Sequence, residues 1–145
     1  MPSWLLVALQ FALIGALIVT TRPLGSLASN VAAAVLLLIG GATGVAALAV
    51  NRPGNFNIRP ELKSGAQLVT RGIYRQLRHP MYLAVLLVMA AGIAADPRAW
   101  RWLLWIALLA VLLAKLAREE RNLRTAFPDY AAYAARTRRL IPGVF

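Results

Sequence analysis

The chain has 145 residues, 60% of them hydrophobic, and carries 16 Lys and Arg against five Asp and Glu, for a net charge of +11. A soluble domain of this length could not bury that much apolar surface. The absence of Cys excludes disulfides, thiolate nucleophiles and thiolate-bound metals, and we expect no metal site. The basic excess lies between and after long apolar runs. The positive-inside rule explains it more simply than nucleic acid does, so we expect no nucleic-acid partner.

Four apolar runs predict four membrane spans in an all-α, polytopic membrane protein. No positive charge precedes the first run, which is therefore interpreted as an anchor and not as a cleavable signal peptide. After each of the first three runs comes a Pro beside Arg or Asp, a combination that ends a helix. The spans are predicted at about 4–20, 24–50, 81–95 and 99–116, within a single membrane domain covering 1–145.

Two polar segments complete the chain, a loop at 51–79 and a tail at 118–145 that is predicted to continue span four as a helix. Three of the 16 basic residues, Arg22, Arg98 and Arg101, lie in or beside the two short loops. The others lie in the long loop, at the end of span four and in the tail. The positive-inside rule therefore predicts that the loop, the tail and both termini are cytoplasmic.

Span two contains Gly40 and Gly44, a pair of small residues that lets another helix approach closely. We favour packing within the chain over a dimer motif, and the oligomeric state stays open.

Polar residues are scarce in the spans, so chemistry is expected where the long loop, the start of span three, the end of span four and the tail converge. His79, the only histidine, precedes Pro80, which suits the first turn of a helix. Backbone donors and the helix dipole there would hold a carboxylate or a ribose hydroxyl. The alternative is a basic membrane-edge anchor with interfacial Tyr side chains.

At the end of span four, Lys115 and Glu119 share a helix face. They form either a local ion pair or part of a site in which Glu119 and Glu120 hold a cation such as the ammonium of a methionine moiety. Farther along, Tyr130 and Tyr133 share a face of the tail, which either lies on anionic lipid or covers the site as a lid.

Four motifs follow one another in this half of the chain. They are Leu-Val-Thr-x-Gly-x-Tyr at 68–74, Arg-His-Pro-x-Tyr at 78–82, Glu-Glu-x-x-Leu at 119–123 and Tyr-x-x-Tyr-x-x-Arg at 130–136. Together they resemble the isoprenylcysteine carboxyl methyltransferase family and its relatives, the small phospholipid N-methyltransferases. The resemblance extends from about Arg59 to Pro142. It implies S-adenosylmethionine as the cofactor, S-adenosylhomocysteine as the product, and a pocket between the last two spans and the cytoplasmic segments.

The resemblance also implies roles for individual residues. Lys115 stands where the carboxyl methyltransferases have an Arg that faces the substrate carboxylate, and Arg136 matches an Arg that closes the site, so these two are the expected catalytic residues. Glu120 joins the cofactor contacts as the second carboxylate of the pair. The other expected cofactor contacts are Gln67, Leu68, Val69, Tyr74, His79, Pro80, Met81, Tyr82 and Glu119.

The implied function is methyl transfer to a small lipophilic acceptor or lipid at the cytoplasmic face of a membrane, which composition indicates is a bacterial inner membrane. A carboxylate acceptor is favoured. An amine or thiol would first lose a proton, with help from His79, Glu120 or a Tyr. Two other functions stay open, an NAD(P)H-dependent membrane reductase and a non-enzymatic membrane module with a basic tail that binds lipid or a partner.

Overall fold

The computed structural model describes residues 2–22, 26–51, 58–61 and 64–145. Within this part of the chain the protein is helical, and its extended pairing is limited to an isolated bridge between Leu77 and Arg138. The helices are α1 (Ser3–Val19), α2 (Leu27–Val50), α3 (Pro80–Ala95), α4 (Ala99–Ala126) and α5 (Tyr130–Arg136), with a 3-10 turn at Gly72–Arg75. The predicted all-α class is confirmed. The predicted start of span two at Leu24 lies outside the described residues.

Two helices are long and apolar enough to cross a membrane, α4 and the part of α2 from Asn30 to Val50. The other two apolar helices are shorter, since α1 has 17 residues and α3 has 16. A helix of that length covers about 25 Å, whereas a hydrocarbon core is ~30 Å thick. The arrangement of four spans, and the side of the membrane that each terminus faces, therefore remain predictions.

Helix α4 continues well past the end of the predicted fourth span. It has 28 residues, and a hydrocarbon core accommodates about 20 helical residues. The prediction that the tail begins as an extension of span four is confirmed, because the helix runs without a break to Ala126. Its charged C-terminal turns can therefore lie outside the hydrocarbon.

The helices pack mainly in two pairs, α2 against α3 and α1 against α4, while α3 also contacts α1 and α4. Glycine on α2 allows the first pair to approach closely. A Cβ atom on Gly40 would lie 3.0 Å from both Leu87 Cβ and Val88 Cγ2, and one on Gly44 would lie 3.5 Å from Ala84 Cβ. The predicted packing of these glycines within the chain is confirmed.

Apolar side chains between the helices form the core, and α2 exposes several large apolar residues on its outer side, as a helix in lipid would. The buried core cluster consists of Leu17, Leu86, Ile93, Leu108, Leu112, Leu116 and Leu140.

At one end of the bundle, a network centred on Asp96, Arg98 and Arg101 joins three helices, and we call it the closed end. Arg101 is fully buried, and its guanidinium donates to the carbonyl oxygens of Leu17 at 2.9 Å and Gly92 at 2.7 Å. It also lies 3.3 Å from Asp96 Oδ2. One side chain on α4 therefore holds the ends of α1 and α3.

Asp96 is the carboxylate of the closed end. It accepts hydrogen bonds from Arg98 Nε at 2.8 Å and from the Arg22 backbone N–H at 3.0 Å. The hydrogen bond from Arg98, helped by the Arg22 N–H and the charges of Arg98 and Arg101, outweighs desolvation and lowers the pKa of Asp96 to about 2. The Asp96 carboxylate thus stays ionised and joins the loop that follows α1 to the loop that follows α3.

Candidate active site

At the other end of the bundle, a cleft lies between the end of α2, the long loop, the start of α3, the C-terminal part of α4, and α5. Its volume is about 850 Å³ when the open solvent space at its mouth is counted. Nine of the ten predicted cofactor contacts line it, namely Gln67, Leu68, Val69, Tyr74, His79, Pro80, Met81, Tyr82 and Glu119.

The start of α3 forms one wall of this cleft. His79 is the N-cap and Pro80 the first helical residue, as the sequence predicts. The N–H groups of Tyr82 and Leu83 both donate to the His79 carbonyl oxygen, at 3.1 and 3.2 Å. Because Pro80 has no N–H, Met81 supplies the remaining first-turn donor in the described structure. An anion at this helix start could therefore be held only by the Met81 N–H and by the helix dipole, which is less than the sequence predicted.

Glu119 on α4 faces α3 across the cleft. The Tyr82 hydroxyl donates to Glu119 Oε2 at 2.9 Å, and His79 Nδ1 lies 3.7 Å from the same oxygen. The imidazole stacks on the Tyr82 ring, with centroids 5.4 Å apart and planes 3° from parallel. The side chain of Glu119 remains 32% exposed, so its carboxylate is held in position but is still accessible to a ligand.

Glu120, the next residue, has different surroundings. Its side chain is fully buried and does not line the cleft. Arg78 Nε lies 2.8 Å from Oε1, and guanidinium nitrogens of Arg124 and Arg139 each lie 3.2 Å from Oε2. His79 Nε2 approaches Oε1 at 3.4 Å. The structure therefore separates the predicted carboxylate pair into an acid at the cleft, Glu119, and an acid held by arginines, Glu120.

The tail is attached to the loop by specific hydrogen bonds. Arg78 Nη1 donates to the carbonyl oxygens of Ala134 at 2.9 Å and Thr137 at 2.5 Å, near the end of α5. The Tyr133 hydroxyl donates to the Tyr74 carbonyl oxygen at 2.8 Å. Burial raises the pKa of both tyrosines, so both phenols remain protonated at neutral pH.

As a result, α5 forms a wall of the cleft. Tyr130 and Tyr133 line it, and their rings meet edge to face with centroids 5.9 Å apart, as the predicted shared face requires. Burial also raises the pKa of Tyr130.

The two predicted catalytic residues do not line the cleft. Lys115 is 1% exposed and donates a hydrogen bond to Gln10 Oε1 on α1, and its ammonium lies 5.5 Å from the centroid of the Tyr82 ring. The alternative of a local ion pair with Glu119 is not observed between these two described residues. Arg136, the last residue of α5, is exposed.

The contact between Gln10 and Lys115 was not predicted from the sequence. Gln10 is a buried amide within an apolar helix, and its partner Lys115 is 105 positions away. The sequence signal for this contact was a single amide side chain in the middle of the apolar run predicted as span one.

A comparison with protein families matches residues 28–130 to the family model described as phospholipid methyltransferase. This stretch contains α3, α4 and all of α2 except Leu27, and it ends at Tyr130, so it includes Glu119 and His79. The chain belongs to the phospholipid methyltransferase family. It is thus a member of a family of integral membrane methyltransferases, and the resemblance drawn from the four motifs is confirmed at this level.

No curated protein matches the chain. The family match gives no support to a reductase or to a non-enzymatic module.

Proposed function

We propose that this family member transfers the methyl group of S-adenosylmethionine to a lipophilic acceptor at the cytoplasmic face of the membrane. The observation that carries the proposal is the contact of Tyr82 and His79 with the accessible carboxylate of Glu119 inside the cleft. A carboxylate among aromatic rings suits a ligand that has both cationic groups and an aromatic base.

The chemistry of the cleft fits the cofactor. Glu119 would hold the ammonium of the methionine moiety, and the start of α3, with the Met81 N–H, would hold its carboxylate. The segment Gln67–Val69 and the ring of Tyr74 would contact the nucleoside. When bound, the cofactor supplies an electrophilic methyl group, and the protein supplies position and exclusion of water.

The acceptor decides how much proton chemistry the site must perform. A carboxylate needs no base, whereas an amine or a thiol must first lose a proton. His79 is the side chain best placed to accept that proton, since it lies 3.7 Å from a Glu119 oxygen and 3.4 Å from a Glu120 oxygen. Lys115, which lies behind Tyr82, would act on the negative charge of an acidic acceptor from the far side of that ring, and Arg136 would close the site from the end of α5.

Family membership supports a lipid or a similar amphiphile as the substrate. Such a molecule would enter from the bilayer, while the soluble cofactor would enter from the aqueous side. We further propose that residues 1–145 act as a single membrane domain in a bacterial inner membrane, with both termini in the cytoplasm.

Calorimetric titration of S-adenosylhomocysteine into the detergent-purified protein tests the cofactor proposal. We expect binding in the micromolar range. Glu119→Gln keeps the size of the side chain but removes its charge, and it should weaken binding by about tenfold or more, because charge-assisted hydrogen bonds contribute ~1.5–3 kcal/mol.

The matched control is Asp129→Asn, since Asp129 is an exposed acid on the same side of the bundle that does not line the cleft. This variant should bind as the wild type does. Absence of binding to wild-type protein that is monodisperse and melts cooperatively would contradict the proposal. Transfer of tritiated methyl groups to a total membrane lipid extract would then show which lipid fraction is the acceptor.

A further inference from the structure

A polar contact inside the bundle connects α1 to the candidate site. Gln10, midway along α1, is 8% exposed, and Lys115 on α4 is 1% exposed. The Lys115 ammonium donates to the Gln10 amide oxygen. Polar and charged side chains at membrane depth are costly and are retained where they have a function. A buried cation paired with a neutral amide therefore requires an explanation beyond packing.

The contact lies directly behind the wall of the cleft. The Lys115 ammonium is 5.5 Å from the centroid of the Tyr82 ring, within the range of a cation–π interaction. On the cleft side, the Tyr82 ring stacks on His79 and its hydroxyl donates to Glu119. A continuous series of contacts thus leads from Gln10 through Lys115 and Tyr82 to Glu119.

The Lys115 ammonium uses only part of its hydrogen-bonding capacity in its contact with Gln10. An ammonium has three N–H donors, and the Gln10 oxygen accepts one of them. Its hydrogen-bond partner within the described part of the chain is neutral, and Glu119, one turn along α4, attracts Lys115 without forming an ion pair with it. The positive charge of Lys115 is thus offset only in part. It therefore remains available to attract an anionic group.

We propose that Gln10 is a positioning residue, which holds Lys115 behind Tyr82 with a neutral oxygen and thereby gives the acceptor side of the site its preference for an anionic group. The inference rests on the proposed methyltransferase function and goes beyond it. The family match begins at residue 28, so α1 lies outside it. Acceptor preference would then depend in part on a helix that the family match does not include.

The test uses Gln10→Glu, which has nearly the shape of the native side chain and places a carboxylate against Lys115. Methyl transfer to membrane lipid extract is measured in one detergent, with dodecanoate, dodecyl phosphate or dodecylamine as competitor. In the wild type, the two anions should inhibit at a concentration about tenfold lower than the cation. In the variant this preference should disappear or reverse, because the new ion pair neutralises Lys115. Comparing both proteins in the same micelles cancels any partitioning of the competitors.

Binding of S-adenosylhomocysteine by calorimetry separates the inference from the function on which it rests. The Gln10→Glu variant should bind with an affinity within about twofold of the wild type. If binding is retained and the variant still prefers anions, the inference is overturned and the proposed function stands. A wild type that shows no preference for anions also overturns it. If the wild type neither binds S-adenosylhomocysteine nor transfers methyl groups, both the inference and the proposed function are contradicted.

The exchanged pair, Gln10→Lys with Lys115→Gln, distinguishes positioning from simple packing. It retains one cation and one amide in the same contact but moves the charge from α4 to α1. We expect Tm to recover toward the wild-type value while inhibition by dodecanoate stays weakened. Recovery of both quantities would show that the location of the charge does not matter and would contradict the proposal. If the exchanged pair fails to fold, Gln10→Glu decides the question alone.

Discussion

The two ends of the helix bundle each contain a carboxylate surrounded by arginines, and they differ in what lies beside it. At the closed end, Asp96 is bound by Arg98 and by the Arg22 N–H, and Arg101 occupies the interior. At the cleft end, Glu120 is bound by three arginines in a similar way. The neighbouring residue there is Glu119, which lies at an open cleft.

This difference shows that a carboxylate–arginine network is not a functional site by itself. Each network fixes helices and loops in place, and in each the arginines and the carboxylate bind one another and not a ligand. What distinguishes the cleft end is a second acid beside the network, whose contacts with Tyr82 and His79 leave part of it exposed. The network around Glu120 holds the walls, and Glu119 is available to a ligand.

The largest expected effect comes from breaking the network at the cleft end. Glu120→Gln leaves the nearly buried charge of Arg78 without its counterion, whereas Arg124 and Arg139 are partly exposed and can be solvated. We therefore expect a loss of about 3 kcal/mol in the free energy of unfolding, the lower end of the range for breaking a buried ion pair. The substitution should also weaken binding of S-adenosylhomocysteine, because Arg78 and Arg139 attach the tail that forms a cleft wall. Thermal melts in detergent and calorimetry measure the two effects.

Asp96→Asn is the matched change at the closed end. It should lower Tm but leave the affinity for S-adenosylhomocysteine unchanged, since no residue of that network lines the cleft. Equal losses of affinity in the two variants would mean that the ends are not functionally distinct, and the comparison would fail.

A smaller effect is expected from the hydrogen bond between α5 and the loop. Tyr133→Phe removes the donor to the Tyr74 carbonyl oxygen and should cost about 1 kcal/mol, the usual net value of one hydrogen bond. Tyr130→Phe is the control. The Tyr130 hydroxyl is buried without a hydrogen-bond partner in the described structure, so its removal should be neutral or slightly stabilising. A larger loss of Tm in the Tyr130 variant would contradict this assignment.

The smallest effect is a pH dependence specific to the closed end. The hydrogen bond from Arg98 lowers the pKa of Asp96 from 3.8 to about 2. A carboxylate with a depressed pKa contributes stability above its ordinary pKa and loses that contribution as the pH falls through the depressed value. The difference in Tm between wild type and Asp96→Asn should therefore shrink as the pH is lowered from about 4 to about 2. A difference that stays constant across this window would show that Asp96 is not held by charge.

Much of the fold and of the candidate site could be predicted from local sequence. Apolar runs and Pro positions predicted the helices, and the placement of Pro80 predicted that α3 begins beside His79. Nine of the cofactor contacts that the family resemblance implied line one cleft. The predicted bounds of α1 and α3 lie within one residue of those in the structure. Whether helices this short cross a bilayer was less predictable, because tilt and local bilayer thickness are set by packing and not by the length of an apolar run.

The sequence by itself determined the all-helical class, the family, and that Glu119 and Glu120 point in directions about 100° apart on one helix. Only the tertiary structure decided that Glu119 faces the cleft and Glu120 faces the arginines, because that depends on how α4 is rotated against α3 and α5. It also decided that Lys115 binds Gln10, 105 positions away, instead of Glu119 one turn along the same helix. Helical periodicity sets relative directions within one element, whereas the partner in each direction is set by packing between elements.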